Sequence, residues 1–96
     1  MTDLVLIATF EARPETKAEL RSRSADMVAL STSEPGCGPY EQHVHREVPL
    51  RYVLIEIWAN KASWDAHMTT SHVLALVSDA SRLTSTEIGI QNLRRL

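Results

Sequence analysis

Residues 52–58 read Tyr52-Val53-Leu54-Ile55-Glu56-Ile57-Trp58, six large apolar or aromatic side chains in seven. A run this short and this rich in β-branched and aromatic residues is a strand. Successive strand residues point to opposite sides, so Leu54, Glu56 and Trp58 share one face and Val53, Ile55 and Ile57 the other. A strand apolar on both sides must be covered on both sides. Helices of the same chain can cover one face. The other calls for a partner.

Working outward, Glu47-Val48-Pro49 is a turn, and residues 40–46, from Tyr40 to Arg46, alternate as a half-buried strand. Further upstream, residues 4–10 (Leu-Val-Leu-Ile-Ala-Thr-Phe) form a second β-branched and apolar run, hence another strand. Pro14 suits the first turn of a helix, and Glu15 and Glu19 complement its positive end. Leu20, Ser24, Met27, Val28 and Ser31 recur at helical spacing. That helix is expected to stop near Ser33, because Glu34-Pro35-Gly36 is a strong breaker. Downstream, Asn60 is a good N-cap for a short helix through about Met68. Ser71 caps another, with Val73, Leu74 and Val77 as its apolar stripe. A last strand runs from about Thr84 to Leu93, with Ile88 and Ile90 on one face.

The order β-α-β-β-α(α)-β is the ferredoxin-like arrangement, an α+β fold with a four-stranded antiparallel sheet. Both crossovers pass over one face and leave the other open. An apolar face of that size is not expected to stay exposed, so a homodimer through the open sheet face is the economical solution.

Size and charge agree with this and narrow the function. Ninety-six residues suit one domain, 1–96. Ten Lys and Arg against twelve Asp and Glu tell against a nucleic-acid partner, which requires clustered positive charge. Met1 to Ile7 lacks the basic segment and long apolar run of a leader. No stretch approaches the roughly 20 apolar residues of a membrane span, so no membrane partner is expected. The lone Cys37 has no partner for an internal disulfide and is read as structural. These features together point to the reducing cytoplasm.

Several stretches carry a family resemblance. They are Glu34-Pro35-Gly36-Cys37 ahead of Tyr40, then Val53-Leu54-Ile55-Glu56-Ile57-Trp58, then Ala66-His67-Met68 and Ser71-His72. In this order and spacing they resemble the antibiotic biosynthesis monooxygenase (ABM) domain over roughly residues 3 to 95. The resemblance implies a dimeric α/β barrel with a ligand pocket between sheet and helices. It also implies an activity of a known kind: some such proteins oxygenate phenolic or quinol-like compounds without metal or flavin. Fold alone constrains function loosely, because others degrade haem or isomerise metabolites. In the haem-degrading relatives an Asn, a Trp and a ligating His fall at Ala8, His67 and Val77, and none of the three matches.

By resemblance to the anthrone monooxygenases of this family, His43 is the expected base, since an imidazole can take a phenol's proton near neutral pH. Trp58 and Trp64 are expected to sandwich a flat ring and offer it indole N–H groups, though both also suit a small core. Leu54 stands where those enzymes have Asn, so polar positioning of a substrate carbonyl is not expected there. Glu56, a carboxyl inside an apolar strand, reads as an acid of raised pKa or as the partner of a histidine such as His67 or His72. His67 and His72 are expected to line the pocket. On one continuous helix their spacing would set them about 140° apart, poor for shared chelation. His43 and His45 share a strand face, but a lone His-x-His is weak evidence for metal. No metal or cofactor is therefore expected. The leading functional expectation is a cofactor-independent monooxygenase acting with O₂ on a small aromatic, quinol or polyketide-like substrate. The alternatives are a binding or sensing module for a hydrophobic metabolite, and a cofactor-free isomerase that pairs Glu56 with a histidine.

Overall fold

β3 (Arg51–Trp58) is an inner strand in which half-buried and buried residues alternate along the whole length. It pairs antiparallel with β2 (Cys37–Val44) on one side and with β1 (Leu4–Glu11) on the other. β4 (Gly89–Arg94) joins the far side of β1, which gives the order β2-β3-β1-β4. The helices are α1 (Lys17–Ser31), α2 (Lys61–His67) and α3 (Ser71–Leu83), and the element order is the ferredoxin-like one expected. The structure, a computed structural model, describes residues 3–96. Met1 and Thr2, part of the 1–96 domain and of the N-terminal stretch weighed as a leader, lie outside the described residues.

Register decides what each face does. Leu6 sits opposite Glu56, Ala8 opposite Leu54 and Phe10 opposite Tyr52, and all six are buried. Leu20, Ser24, Met27 and Ser31 of α1, with Val73, Leu76 and Leu83 of α3, are the buried residues of the helices above them. Burying a Leu such as Leu6, Leu20 or Leu83 contributes about 1.5–3 kcal/mol. On the other face, Val5 opposes Ile57, Ile7 opposes Ile55 and Thr9 opposes Val53. These six remain only half-buried, as expected of an open face.

Local differences have local causes. α1 begins at Lys17 because residues 14–16 form a turn, held by the Arg13 N–H on Thr16 Oγ1 and by the Thr16 hydroxyl donating to the Leu83 carbonyl at 2.6 Å. Asn60 caps α2 as expected, accepting from the Ser63 N–H at 2.8 Å. For α3 the cap is Thr70, one residue before Ser71. The inward stripe of α3 is Val73, Leu76 and Leu83, while Leu74 and Val77 face outward and are about half exposed. β4 starts at Gly89, later than Thr84, because the chain bends at residues 85–86 and rejoins the sheet only after 87–88. Thr84 then spends its hydroxyl on the Ala80 and Thr86 carbonyls and makes a single bridge to Ala12. Among the described residues, no helix is long and apolar enough to cross a membrane.

Candidate functional site

The turn that ends α1 builds the outer part of the site. Glu34-Pro35-Gly36-Cys37 closes with the Cys37 N–H on the Glu34 carbonyl at 3.1 Å. Pro suits the second position of such a turn, and the third must take positive φ. Gly36 does so at φ 80°, and a Cβ there would lie 2.1 Å from Ser63 Oγ. The turn holds Glu34 at the edge of the helix layer.

The histidines come from the junction of α2 and α3. Thr69 and Thr70 interrupt the helix, their hydroxyls donating to the Ala66 and His67 carbonyls at 2.7 Å each. This break removes the angular separation that one continuous helix would impose. His67 Nδ1 lies 3.0 and 3.1 Å from the two Glu34 oxygens, and His72 Nε2 lies 2.8 Å from Glu34 Oε2. One carboxylate thus receives both imidazoles.

The inner part belongs to β3. Glu56 is buried, and Trp58 Nε1–H donates to its Oε1 at 2.9 Å. The same oxygen is 3.8 Å from His67 Nε2. Burial pushes the Glu56 carboxyl up from its ordinary value, and the Trp58 hydrogen bond, the charge of His67 and the nearby Tyr40 only partly oppose it. The Tyr40 hydroxyl is pushed up as well, by burial first and then by Glu56. Among the described residues it finds no hydrogen-bond partner of good geometry, although Ser31 and Glu56 lie near it. The rings pack closely: Trp58 tilts over His67 with centroids 4.6 Å apart, and Tyr40 meets His67 edge-on at 5.8 Å. The result is a continuous file, His72–Glu34–His67–Glu56–Trp58, running from the partly exposed His72 to the fully buried Trp58.

Glu56, His67, Tyr40 and Leu54 border a cavity of about 60 Å³ between sheet and helices, walled otherwise by apolar side chains such as Ala8, Phe10 and Val73. Its rim includes Met68, Val77 and Ile90, all solvent-exposed. A wider groove of about 460 Å³ shares Val77 and Ile88 with it, but is lined by Arg13, Ser81 and residues 84–87 and has none of the buried ionisable groups.

The expected site residues therefore divide. Leu54, Glu56 and His67 converge on the cavity. Trp58 lies behind them with no exposure and its N–H already donated to Glu56, so the expected offer of that N–H to a ligand is corrected. Trp64 packs against the core from α2 without lining the cavity. His72 reaches the file through Glu34 and stands outside the cavity. His43 pairs with Val53, and so occupies the face of the sheet opposite Glu56 and Trp58. Cys37 has its thiol pushed up to about 11 by burial and by the nearby Glu34 and Glu56 charges, which suits a structural residue.

The sequence marks Glu34 as part of a helix breaker and of a family motif, and Tyr40 as a motif and strand residue, but assigns neither a place in the site. A parity count from Tyr40 along β2 was the available signal for His43: if Tyr40 faces inward, residue 43 faces outward. For Glu34 there was no comparable signal, because its partners lie 33 and 38 residues away.

Comparison with known proteins follows the same outline. YcnE of Bacillus subtilis, whose name proposes a monooxygenase, is 25% identical over 91% of this chain and 92% of its own length. The uncharacterized protein sll1783 of Synechocystis is 28% identical over 72% of this chain, and the match spans 47% of that longer protein. Among solved structures, PA3566 from Pseudomonas aeruginosa superposes with a TM-score of 0.92 at 32% identity, covering 100% of this chain and 96% of that one. Rv0793 from Mycobacterium tuberculosis shares the fold, with a TM-score of 0.93 at 23% identity over 99% and 96%. The family model described as antibiotic biosynthesis monooxygenase matches residues 3–79, and the chain belongs to that family.

Proposed function

We propose that the protein is a cofactor-independent monooxygenase for a small aromatic, quinol or polyketide-like substrate, with Glu56 and His67 handling the proton. The observation that carries this reading is the meeting of a buried carboxyl and a buried imidazole at one wall of an apolar cavity. A phenolic substrate placed there loses its proton to the pair. The electron-rich anion can then reduce O₂ itself. For a ring CH₂ activated by the phenol, one oxygen atom becomes the new carbonyl and the other leaves as water with both hydrogens. The substrate supplies all four electrons, so the balance needs no further reductant. This assignment moves the base from His43 to the residues on the pocket side of the sheet.

A cavity of about 60 Å³ is smaller than the roughly 150 Å³ of an engineered cavity that accepts benzene. A ring enters when Met27 and Met68, both lining residues, shift; unbranched thioether side chains give way readily. The same carboxyl–imidazole pair would also serve an oxygen-independent isomerase, and the apolar lining with Leu54 would serve a binding module. Oxygen consumption by EDTA-treated protein against hydroquinones, anthrones and dihydroxynaphthalenes tests the choice. Uptake above autoxidation supports the oxygenase. Turnover without uptake supports the isomerase, and a bound ligand recovered unchanged in air supports the binding module.

The working unit we propose is a homodimer joined through Val5, Ile7, Val53, Ile55 and Ile57 on the open sheet face, acting in the cytoplasm.

A further inference from the structure

Glu34, His67 and His72 present one ligand atom each within 4.8 Å of one another. We propose that these three residues form a binding site for a single divalent transition-metal ion of the zinc class. Two imidazoles and one carboxylate are donors suited to Zn²⁺, Co²⁺, Ni²⁺ or Cu²⁺ rather than to Mg²⁺ or Ca²⁺, which prefer all-oxygen sites. The two imidazole nitrogens now stand 2.8–3.1 Å from the Glu34 oxygens. Ligand bonds near 2.1 Å in a tetrahedron set neighbouring donors about 3.4 Å apart. Loading therefore requires each Glu34–imidazole pair to open by a few tenths of an ångström and the two imidazole nitrogens, within 4.8 Å of each other, to draw together by a side-chain rotation.

Three further features suit such a site. His67 is held from behind: Trp58 and Tyr40 pack against its ring, and its second nitrogen faces the Glu56 carboxyl at 3.8 Å, beyond hydrogen-bond length but on the side from which a carboxylate orients a metal-bound histidine. The Glu34 turn is fixed by Gly36, so the carboxylate is presented by a rigid backbone. The Glu34 and His72 side chains retain 14% and 18% exposure, which gives the ion a way in and leaves a fourth position for water. The cluster is separate from the His43–His45 pair; His45 already spends Nδ1 on the Glu47 and Val48 N–H groups. A metal on His67 Nδ1 places the ring proton on Nε2, toward Glu56. Loading would then silence His67 as a base while leaving the fold intact.

Binding is measured on the full chain without substrate or turnover, so the outcome is independent of the proposed oxygenase activity. Chelator-stripped protein is titrated with Co²⁺ and followed by its visible ligand-field absorption, then displaced with Zn²⁺. The expected result is one ion per chain with the intense bands of a tetrahedral site. His72→Ala and Glu34→Gln, each checked for native circular dichroism, should weaken affinity at least tenfold, whereas a His43→Ala/His45→Ala variant should leave it unchanged. Absence of stoichiometric binding, the weak bands of an octahedral aquo-ion, or affinity lost in the His43/His45 variant but kept in folded His72→Ala and Glu34→Gln would each overturn the proposal.

Discussion

The two faces of the sheet are built from the same strands and differ in almost everything else. Toward the helices, β3 contributes Tyr52, Leu54, Glu56 and Trp58, all buried, and a carboxyl is held there by an indole N–H and beside an imidazole. On the reverse side the same strand contributes Val53, Ile55 and Ile57, half-buried beside Val5, Ile7 and Thr9, and the base expected from the sequence, His43, is 44% exposed there. One residue of register separates the two environments. Chemistry that needs desolvation and fixed partners is favoured on the covered face, which is where we propose it, and the open face is where we propose association.

The largest effect should come from the covered face. Trp58→Ala removes a side chain with no exposure and leaves Glu56 without its donor. Urea unfolding should show a loss of about 3–5 kcal/mol, the usual range for a buried aromatic. A loss below 1 kcal/mol would mean that the two faces are packed alike. Next is the open face: the parent protein should sediment as the proposed dimer and Ile55→Asp as a monomer, at a cost of about 2–4 kcal/mol in association. An unchanged dimer would place the interface elsewhere.

A third effect is one of slope. Glu56 has its folded pKa raised above the ordinary 4.5, chiefly by burial, so the fold holds that proton more tightly than the unfolded chain does. Its contribution is fully present below pH 4.5 and is lost as pH rises through the raised folded value. Glu56→Gln has no proton to lose, so stability should decline less across that window than in the parent protein. Parallel stability–pH curves would show that burial does not tax the carboxylate. The smallest effect is expected at His43→Ala, within about 0.5 kcal/mol in thermal or urea unfolding, as for other exposed positions.

The sheet with its helix layer was legible because Tyr52–Trp58 is a short β-branched and aromatic run, flanked by two further strand-like runs and by helices at the expected spacing. Glu56 was legible for the same reason, as a charge where none belongs. The phase of α3 was not: Leu74, Val77 and Leu76 are similar in kind, and only packing shows that Leu76 turns inward. The cluster on Glu34 was hidden because it depends on three separate local events: a turn with positive φ at Gly36, a helix interrupted at Thr69–Thr70, and long-range closure between them. The sequence places His67 and His72 on either side of a helix break, but the angle across that break is set by the Thr69 and Thr70 hydroxyls and cannot be read from spacing.

The two faces differ most decisively in which of them carries the proposed chemistry. Oxygen uptake by EDTA-treated protein on a responsive quinol, compared across the parent, His43→Ala and Glu56→Gln, reads this without ambiguity. Uptake is expected to stay close to the parent's for His43→Ala and to fall about 10²-fold or more for folded Glu56→Gln, the scale of a lost proton-transfer group. Uptake abolished by His43→Ala and retained by Glu56→Gln would contradict the proposed assignment.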